Sequence, residues 1–167
     1  GDIYSRSSNP NRRQLEKKLA LLENGLKALA FSSGQAATYA VFQALPAGSH
    51  VIIPDDIYYG TRSALKLLGT NTGITFSEIN MADIDSSILP ETGLIWVETP
   101  SNPKLKITDI DAILKLSKKH KNILVACDNT WATPYFSKPL DLGCDLVMHS
   151  TTKYFGGHSD VLGGALM

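Results

Sequence analysis

The residues best equipped for chemistry lie between Asp145 and Gly164, in the stretch DLVMHSTTKYFGGHSDVLGG. Leu146, Val147 and Met148 form an apolar run of the kind that makes a buried strand. The chain then breaks into hydroxyls, one lysine, an aromatic pair and glycines. A lysine held in a loop at the end of a buried strand is a candidate nucleophilic amine, and Lys153 is expected to form a Schiff base with an aldehyde cofactor. Ser150 and Thr152 flank it with hydroxyls able to hold a phosphate. A loop lysine alone is most often a solvated charge, so the assignment depends on what else the chain supplies.

Asp128 follows another apolar run and would point its carboxylate beyond a strand end. A pyridoxal phosphate ring needs such a carboxylate against its nitrogen, because the protonated ring can accept carbanion charge. Two unit charges ~4 Å apart at an effective dielectric of 20 attract by roughly 4 kcal/mol, enough to hold that proton. A turn or helix-capping aspartate is the ordinary alternative. Ser33-Gly34-Gln35 opens a helix after a strand, where free N–H groups and the helix dipole favour a phosphate; an N-cap serine with a turn glycine would look the same. Neither GxGxxG, a P-loop nor GxSxG is present. Tyr58 and Tyr59 offer an aromatic face to a cofactor ring, or simply pack. Glu98 and Asp128 could form a carboxylate pair for glycoside hydrolysis, but nothing else supports that chemistry. The four histidines, His50, His120, His149 and His158, lack metal-ligand spacing, and no metal is expected.

The elements that must position these residues alternate. Asn9-Pro10 starts a helix, by a capping side chain and proline at the first helical position, with Leu15, Leu19, Leu22 and Leu26 as its apolar stripe. Strands are expected at 28–31, 50–53, 74–79, 94–97, 123–127 and 146–148. Helices are expected at 36–45, 62–68, 82–89 and 109–120, and a loop at 129–139. Strands that are continuous apolar runs, separated by helices, indicate a parallel sheet covered on both faces. Ligands then collect beyond the carboxyl ends of the strands, where Lys153, Asp128 and Ser33-Gly34-Gln35 fall.

Composition narrows the function classes. The chain has 167 residues, 43% hydrophobic and 19% charged, with a formal net charge of zero. That suits one domain with a real core. The absence of a basic stripe argues against nucleic acid or an acidic membrane as partner. No apolar run approaches the ~20 residues needed to span a bilayer. Cys127 and Cys144 are expected to be buried thiols in a reducing compartment. The N-terminus carries no signal-peptide pattern, it lacks an initiator methionine, and the chain ends inside an apolar run. A piece of a longer, cytoplasmic protein is expected.

Seven stretches carry a family resemblance: YSRSSNP (4–10), FSSGQAAT (31–38), DDIYYGT (55–61), VETPSNP (97–103), DNTWATPY (128–135), PLDLGCDLVMHSTTKY (139–154) and GGHSDVLGG (156–164). In that order they resemble the Cys/Met-metabolism group of pyridoxal-phosphate enzymes, whose members include cystathionine gamma-lyases, gamma-synthases and beta-lyases and methionine gamma-lyases. The resemblance implies a fold-type-I large domain, a three-layer α/β/α sandwich with a mainly parallel sheet. Residues 1–9 would form a segment reaching a neighbouring subunit, and 10–167 the cofactor-binding domain without the C-terminal domain.

It also implies roles. Lys153 would carry the Schiff base and move protons, and Tyr58 would stack on the ring and assist. Asp128 would hold the ring nitrogen, with Thr130 supporting it. Gly34 and Gln35 would give backbone donors to the phosphate, Ser150 and Thr152 hydroxyls, and Asn102 a bond to the phenolic oxygen. Tyr4 and Arg6 would reach a neighbouring subunit's phosphate, in a homodimer or homotetramer. The implied activity is a sulfur amino-acid lyase, foremost gamma-elimination of cystathionine to cysteine, 2-oxobutanoate and ammonia. Gamma-replacement, beta-elimination and methionine gamma-elimination are the alternatives. A cofactor-binding fragment without turnover is the alternative of another class. Tyr59-Gly60-Thr61 lacks the cysteine usual in methionine gamma-lyases. Ile3 stands where gamma-lyases often have an acidic residue, and Trp131 where smaller residues are usual.

Overall fold

A computed structural model describes residues 2–120 and 122–167; Gly1, the first residue of the expected N-terminal segment, and Lys121 lie outside the described residues. The sheet runs β1-β7-β6-β5-β4-β2-β3, with β1 at Leu29–Phe31, β2 at His50–Pro54, β3 at Thr75–Ile79, β4 at Thr92–Glu98, β5 at Leu124–Asp128, β6 at Leu146–His149 and β7 at Gly164–Leu166. β3, β2, β4, β5 and β6 pair in parallel. β7 is antiparallel to both β6 and β1. The mainly parallel α/β sandwich expected from the sequence is the architecture observed.

Alternation along the buried strands sends successive side chains to opposite faces. Val51, Ile53, Leu94, Trp96, Ala126 and Met148 face helices α2 (Gly34–Gln43) and α3 (Tyr59–Thr72), where Val41, Phe42 and Leu65 complete one core. Ile52, Ile95, Val97, Val125 and Cys127 face the other way, onto the 3₁₀ turn Met81–Ser87 and helix α4 (Ile110–Ser117). Val147 and Ala165 on that second face meet Leu19 and Ala20 of helix α1 (Pro10–Leu22). Both cysteines are buried and free; burial pushes their thiols up, that of Cys144 to about 12, as expected of inert core thiols.

The helix starts follow their caps. Asn9 Oδ1 accepts from the Asn11 and Arg12 N–H groups and Pro10 opens α1; Ser33 accepts from Ala36 N–H; Asp109 accepts from Ala112 N–H. Several expectations need correction. Of the leucine stripe only Leu19 is buried, and Leu15, Leu22 and Leu26 are exposed; α1 packs on the sheet through Leu19 and Ala20 and reaches β1 with Glu16, which accepts the Ala30 N–H at 3.0 Å. Helix α3 is longer than 62–68 at both ends. The segment 129–139 is not all loop, for it holds the short helix α5 (Thr133–Phe136) and runs into α6 (Pro139–Leu142). Strand β7 was not anticipated as a strand.

Candidate functional site

Beyond the carboxyl ends of β4, β5 and β6, and against the N-termini of α2 and α3, lies a cavity of about 490 Å³. Its walls include Gly34, Gln35, Tyr58, Asn102, Asp128, Thr130, Ser150, Thr152 and Lys153. Nine of the residues singled out in the sequence thus converge from five separate stretches. The parallel sheet explains this: each strand end delivers its next residues to one edge.

Lys153 sits in the turn after β6, where its N–H donates to Ser150 O at 3.1 Å and its carbonyl accepts from Gly157 N–H at 2.7 Å. The side chain is exposed to the cavity mouth. Among the described residues no carboxylate pairs with its ammonium group. Ser150 donates its N–H to Thr130 Oγ1 at 2.9 Å, while Thr130 N–H donates to Asp128 Oδ1 at 3.0 Å. Thr130 therefore ties the Asp128 carboxylate to the start of the lysine loop. The Thr152 hydroxyl is engaged by Gly163, donating to its carbonyl at 3.1 Å and accepting its N–H at 3.0 Å. That hydroxyl closes the loop onto the return toward β7.

Asp128 and Glu98 are register partners at the ends of β5 and β4. Both are buried. Glu98 accepts the Tyr58 N–H at 3.1 Å. Burial first, and the neighbouring Asp128 second, push its carboxyl up to about 8. Burial also raises Asp128, opposed by its hydrogen bonds from Thr130 and by His149. Two carboxyls side by side in a water-poor corner resist double ionisation. A cation placed against them would relieve that cost. Sequence reasoning noticed Glu98 as a strand-end carboxylate without giving it a part in the cofactor site; its register with Asp128 was the missing signal.

At the other end of the cavity the first amides of α2 have no acceptor within the helix. A β-carbon on Gly34 would lie 2.8 Å from Ser150 Cβ and 3.0 Å from its Cα, so α2 meets the lysine loop at backbone distance. A β-carbon on Gly60 would fall on Gln35 Nε2 and Tyr58 Cε1, so the starts of α2 and α3 also touch through a glycine. The buried hydroxyls of Thr38 and Thr61 have no hydrogen-bond partner among the described residues, and both residues line the cavity. Unpartnered buried hydroxyls are uncommon and mark places where a polar ligand fits.

Tyr58 is half-buried on the wall, with its ring tilted against Tyr59 at 4.9 Å between centroids. Tyr59 is 70% exposed and turns away from the cavity. Asn102 belongs to a loop fastened by Asp56, whose carboxylate accepts from the Lys104 N–H at 2.9 Å and from the Ser101 hydroxyl. Trp131, Met148 and Leu162 add apolar wall. Tyr4 and Arg6 are not brought into this cavity. Both are exposed, with the Arg6 guanidinium 5.1 Å from the Tyr4 ring centroid, on a segment whose carbonyls at Ser5, Arg6 and Ser7 are held by Arg12.

The cavity offers an amine, a pair of carboxyls suited to a ring cation, an aromatic wall and a phosphate-type cradle at a helix N-terminus. The chain is 50% identical to a cystathionine beta-lyase of Staphylococcus haemolyticus, over 97% of this chain and 42% of that one. It is 49% identical to a cystathionine gamma-synthase of Mycobacterium leprae, over 100% and 44%. A cystathionine gamma-lyase of Saccharomyces cerevisiae is 46% identical, over 98% and 43%. The crystal structure of a cystathionine gamma-lyase from Lactobacillus plantarum complexed with L-serine superposes with a TM-score of 0.94 at 46% identity, over 98% of this chain and 44% of that one. The chain spans about half the length, or less, of the curated relatives it matches. The model of the Cys/Met metabolism PLP-dependent enzymes matches residues 1–167, and the chain belongs to that family.

Proposed function

We propose that the protein is a pyridoxal-phosphate-dependent sulfur amino-acid lyase whose main reaction is gamma-elimination of cystathionine to cysteine, 2-oxobutanoate and ammonia. The observation that supports it most is the convergence of Lys153, Asp128, Tyr58 and the start of α2 on one cavity. Bound there, pyridoxal phosphate supplies an electron sink for charge that develops on the substrate's carbon atoms. Lys153 would supply the amine that holds the cofactor and, with substrate bound, would move the proton of the substrate's α-carbon. Asp128 keeps the proton on the ring nitrogen, with Thr130 fixing its carboxylate. Tyr58 would stack on the ring, Gly34 and Gln35 would donate backbone N–H groups to the phosphate with Ser150 and Thr152 beside them, and Asn102 would bond the phenolic oxygen.

We read 10–167 as the cofactor-binding domain and 1–9 as a segment for a neighbouring subunit. Tyr4 and Arg6, exposed and outside their own chain's cavity, would reach that subunit's phosphate in a homodimer or homotetramer. A cytoplasmic location fits a small-molecule reaction of this kind; among the described residues no helix is long and apolar enough to cross a membrane. The relatives include beta-lyases and gamma-synthases, which makes gamma-replacement and beta-elimination the competing reactions. Product analysis on the protein in its natural length decides. Cysteine with 2-oxobutanoate from cystathionine supports gamma-elimination; homocysteine with pyruvate would reassign the enzyme to beta-elimination, and neither set would reject both lyase readings.

A further inference from the structure

Beneath the cavity floor, on the opposite face of the sheet, Glu23, Asn129 and His149 form a polar cluster with 0%, 0% and 1% exposure. Glu23 caps the C-terminus of α1. Its Oε1 accepts from Asn129 Nδ2 at 2.8 Å and meets His149 Nε2 at 2.5 Å. Asn129 Nδ2 also donates to Ser137 O at 2.9 Å, just past α5. The His149 ring is packed edge-on against Phe155 at 4.8 Å. Among the described residues Glu23 Oε2 and Asn129 Oδ1 have no partner.

A buried carboxylate with so few donors is an expensive way to fill a core. Apolar side chains of similar volume often serve stability as well or better. What the cluster does supply is position. Asn129 directly follows Asp128, and His149 directly precedes Ser150. Alternation puts Asp128 and Ser150 on the cavity side while Asn129 and His149 point the other way. One carboxylate thereby clamps from below the two strand ends that carry the cavity's acid and its lysine loop. On the cavity side Thr130 joins the same two ends, and between the strands Asn129 N–H donates to Met148 O at 3.0 Å.

We propose that Glu23 is a positioning residue for the cofactor cavity, acting through Asn129 and His149 to set the spacing of Asp128 and Ser150. This rests on the reading of Asp128 and Ser150 as cofactor contacts. The test uses the protein in its natural length. Glu23→Leu removes the clamp, and Glu23→Gln keeps an acceptor oxygen for it. Three quantities are read: the unfolding midpoint of the apoprotein, the dissociation constant of pyridoxal phosphate, and the pH dependence of its absorption spectrum. The expected result for Glu23→Leu is a dissociation constant raised about tenfold or more, the lower end of what outer-shell partners cost at other charged sites. The spectral titration shifts with it, and Glu23→Gln restores most of both. A Glu23→Leu protein with unchanged affinity and titration, whatever its unfolding midpoint, would overturn the proposal. If that variant does not fold, Asn129→Ala, which spares the contact between Glu23 and His149, decides by the same readouts. Asp128→Asn is measured alongside: if it too leaves affinity unchanged, the cofactor-contact reading has failed rather than the positioning role.

Discussion

Glu98→Gln is expected to flatten the fall in apoprotein stability between mildly acidic and alkaline pH. Glutamine keeps an oxygen for the Tyr58 N–H, now 3.1 Å from Glu98 Oε2, and has no proton to lose. In the unfolded chain the carboxyl titrates near 4.5, whereas in the fold burial and Asp128 push it up to about 8. Between those values the native state holds a proton that the unfolded state has released, so stability declines as pH rises and levels off above the folded value. At 1.36 kcal/mol per pH unit this carboxyl alone draws off on the order of 4 kcal/mol between pH 5 and pH 9. Asp128 is raised too and acts in the same direction, but it is present in both proteins and leaves the difference to Glu98. Urea denaturation of the cofactor-free protein across that range provides the assay. Wild type and variant should nearly coincide at pH 5 and diverge by several kcal/mol by pH 9, the variant being the more stable. Parallel curves, or a variant less stable at pH 9, would refute the reasoning.

Two further substitutions probe the two ends of the cavity. Gly34→Ala places a methyl carbon 2.8 Å from Ser150 Cβ, well inside normal contact, so α2 and the lysine loop must separate; a stability loss of about 1–3 kcal/mol is expected, together with weaker cofactor binding in equilibrium dialysis, and binding unaffected by the methyl group would remove this junction from the phosphate cradle. Asp128→Asn discards a charge worth roughly 4 kcal/mol against a ring cation at ~4 Å and an effective dielectric of 20; cofactor affinity should fall by at least about a hundredfold, and an unaltered dissociation constant would exclude the pairing.

Much of this site is legible in the sequence because a parallel sheet converts strand order into a common edge. Asp128 and the lysine loop each follow an apolar run, and Ser33-Gly34-Gln35 starts a helix after one, so reading strand ends was enough to gather them. Glu98 was visible by the same rule, but its role depends on register with Asp128, which one strand does not reveal. Glu23 gave no signal. It lies 106 residues from Asn129 and 126 from His149, and a glutamate at a helix end reads as solvated. His149 was weighed only as a metal ligand, since nothing local announces a buried partner on another element.

The fold shows the same division. Continuous apolar runs identified β2, β4, β5 and β6. Strand β7 escaped because it is three residues long and opens on Gly164, too short for any periodicity. Helix α3 outran its expected bounds because packing of Leu65 and Leu68 on the sheet outweighs the low helix propensity of Gly69, Thr70, Asn71 and Thr72. The stripe on α1 misled in the other direction, since periodicity shows that a face is apolar without showing what covers it.

The central claim is that Lys153 is the amine that binds the cofactor. Reducing the protein with borohydride in the presence of pyridoxal phosphate fixes the imine, and peptide mapping by mass spectrometry then locates the cofactor. The account predicts the adduct on Lys153, with its loss in Lys153→Ala together with the imine absorption band. A band that persists in that variant, or an adduct mapped to another lysine such as Lys104 or Lys106 with Lys153 unmodified, would contradict it.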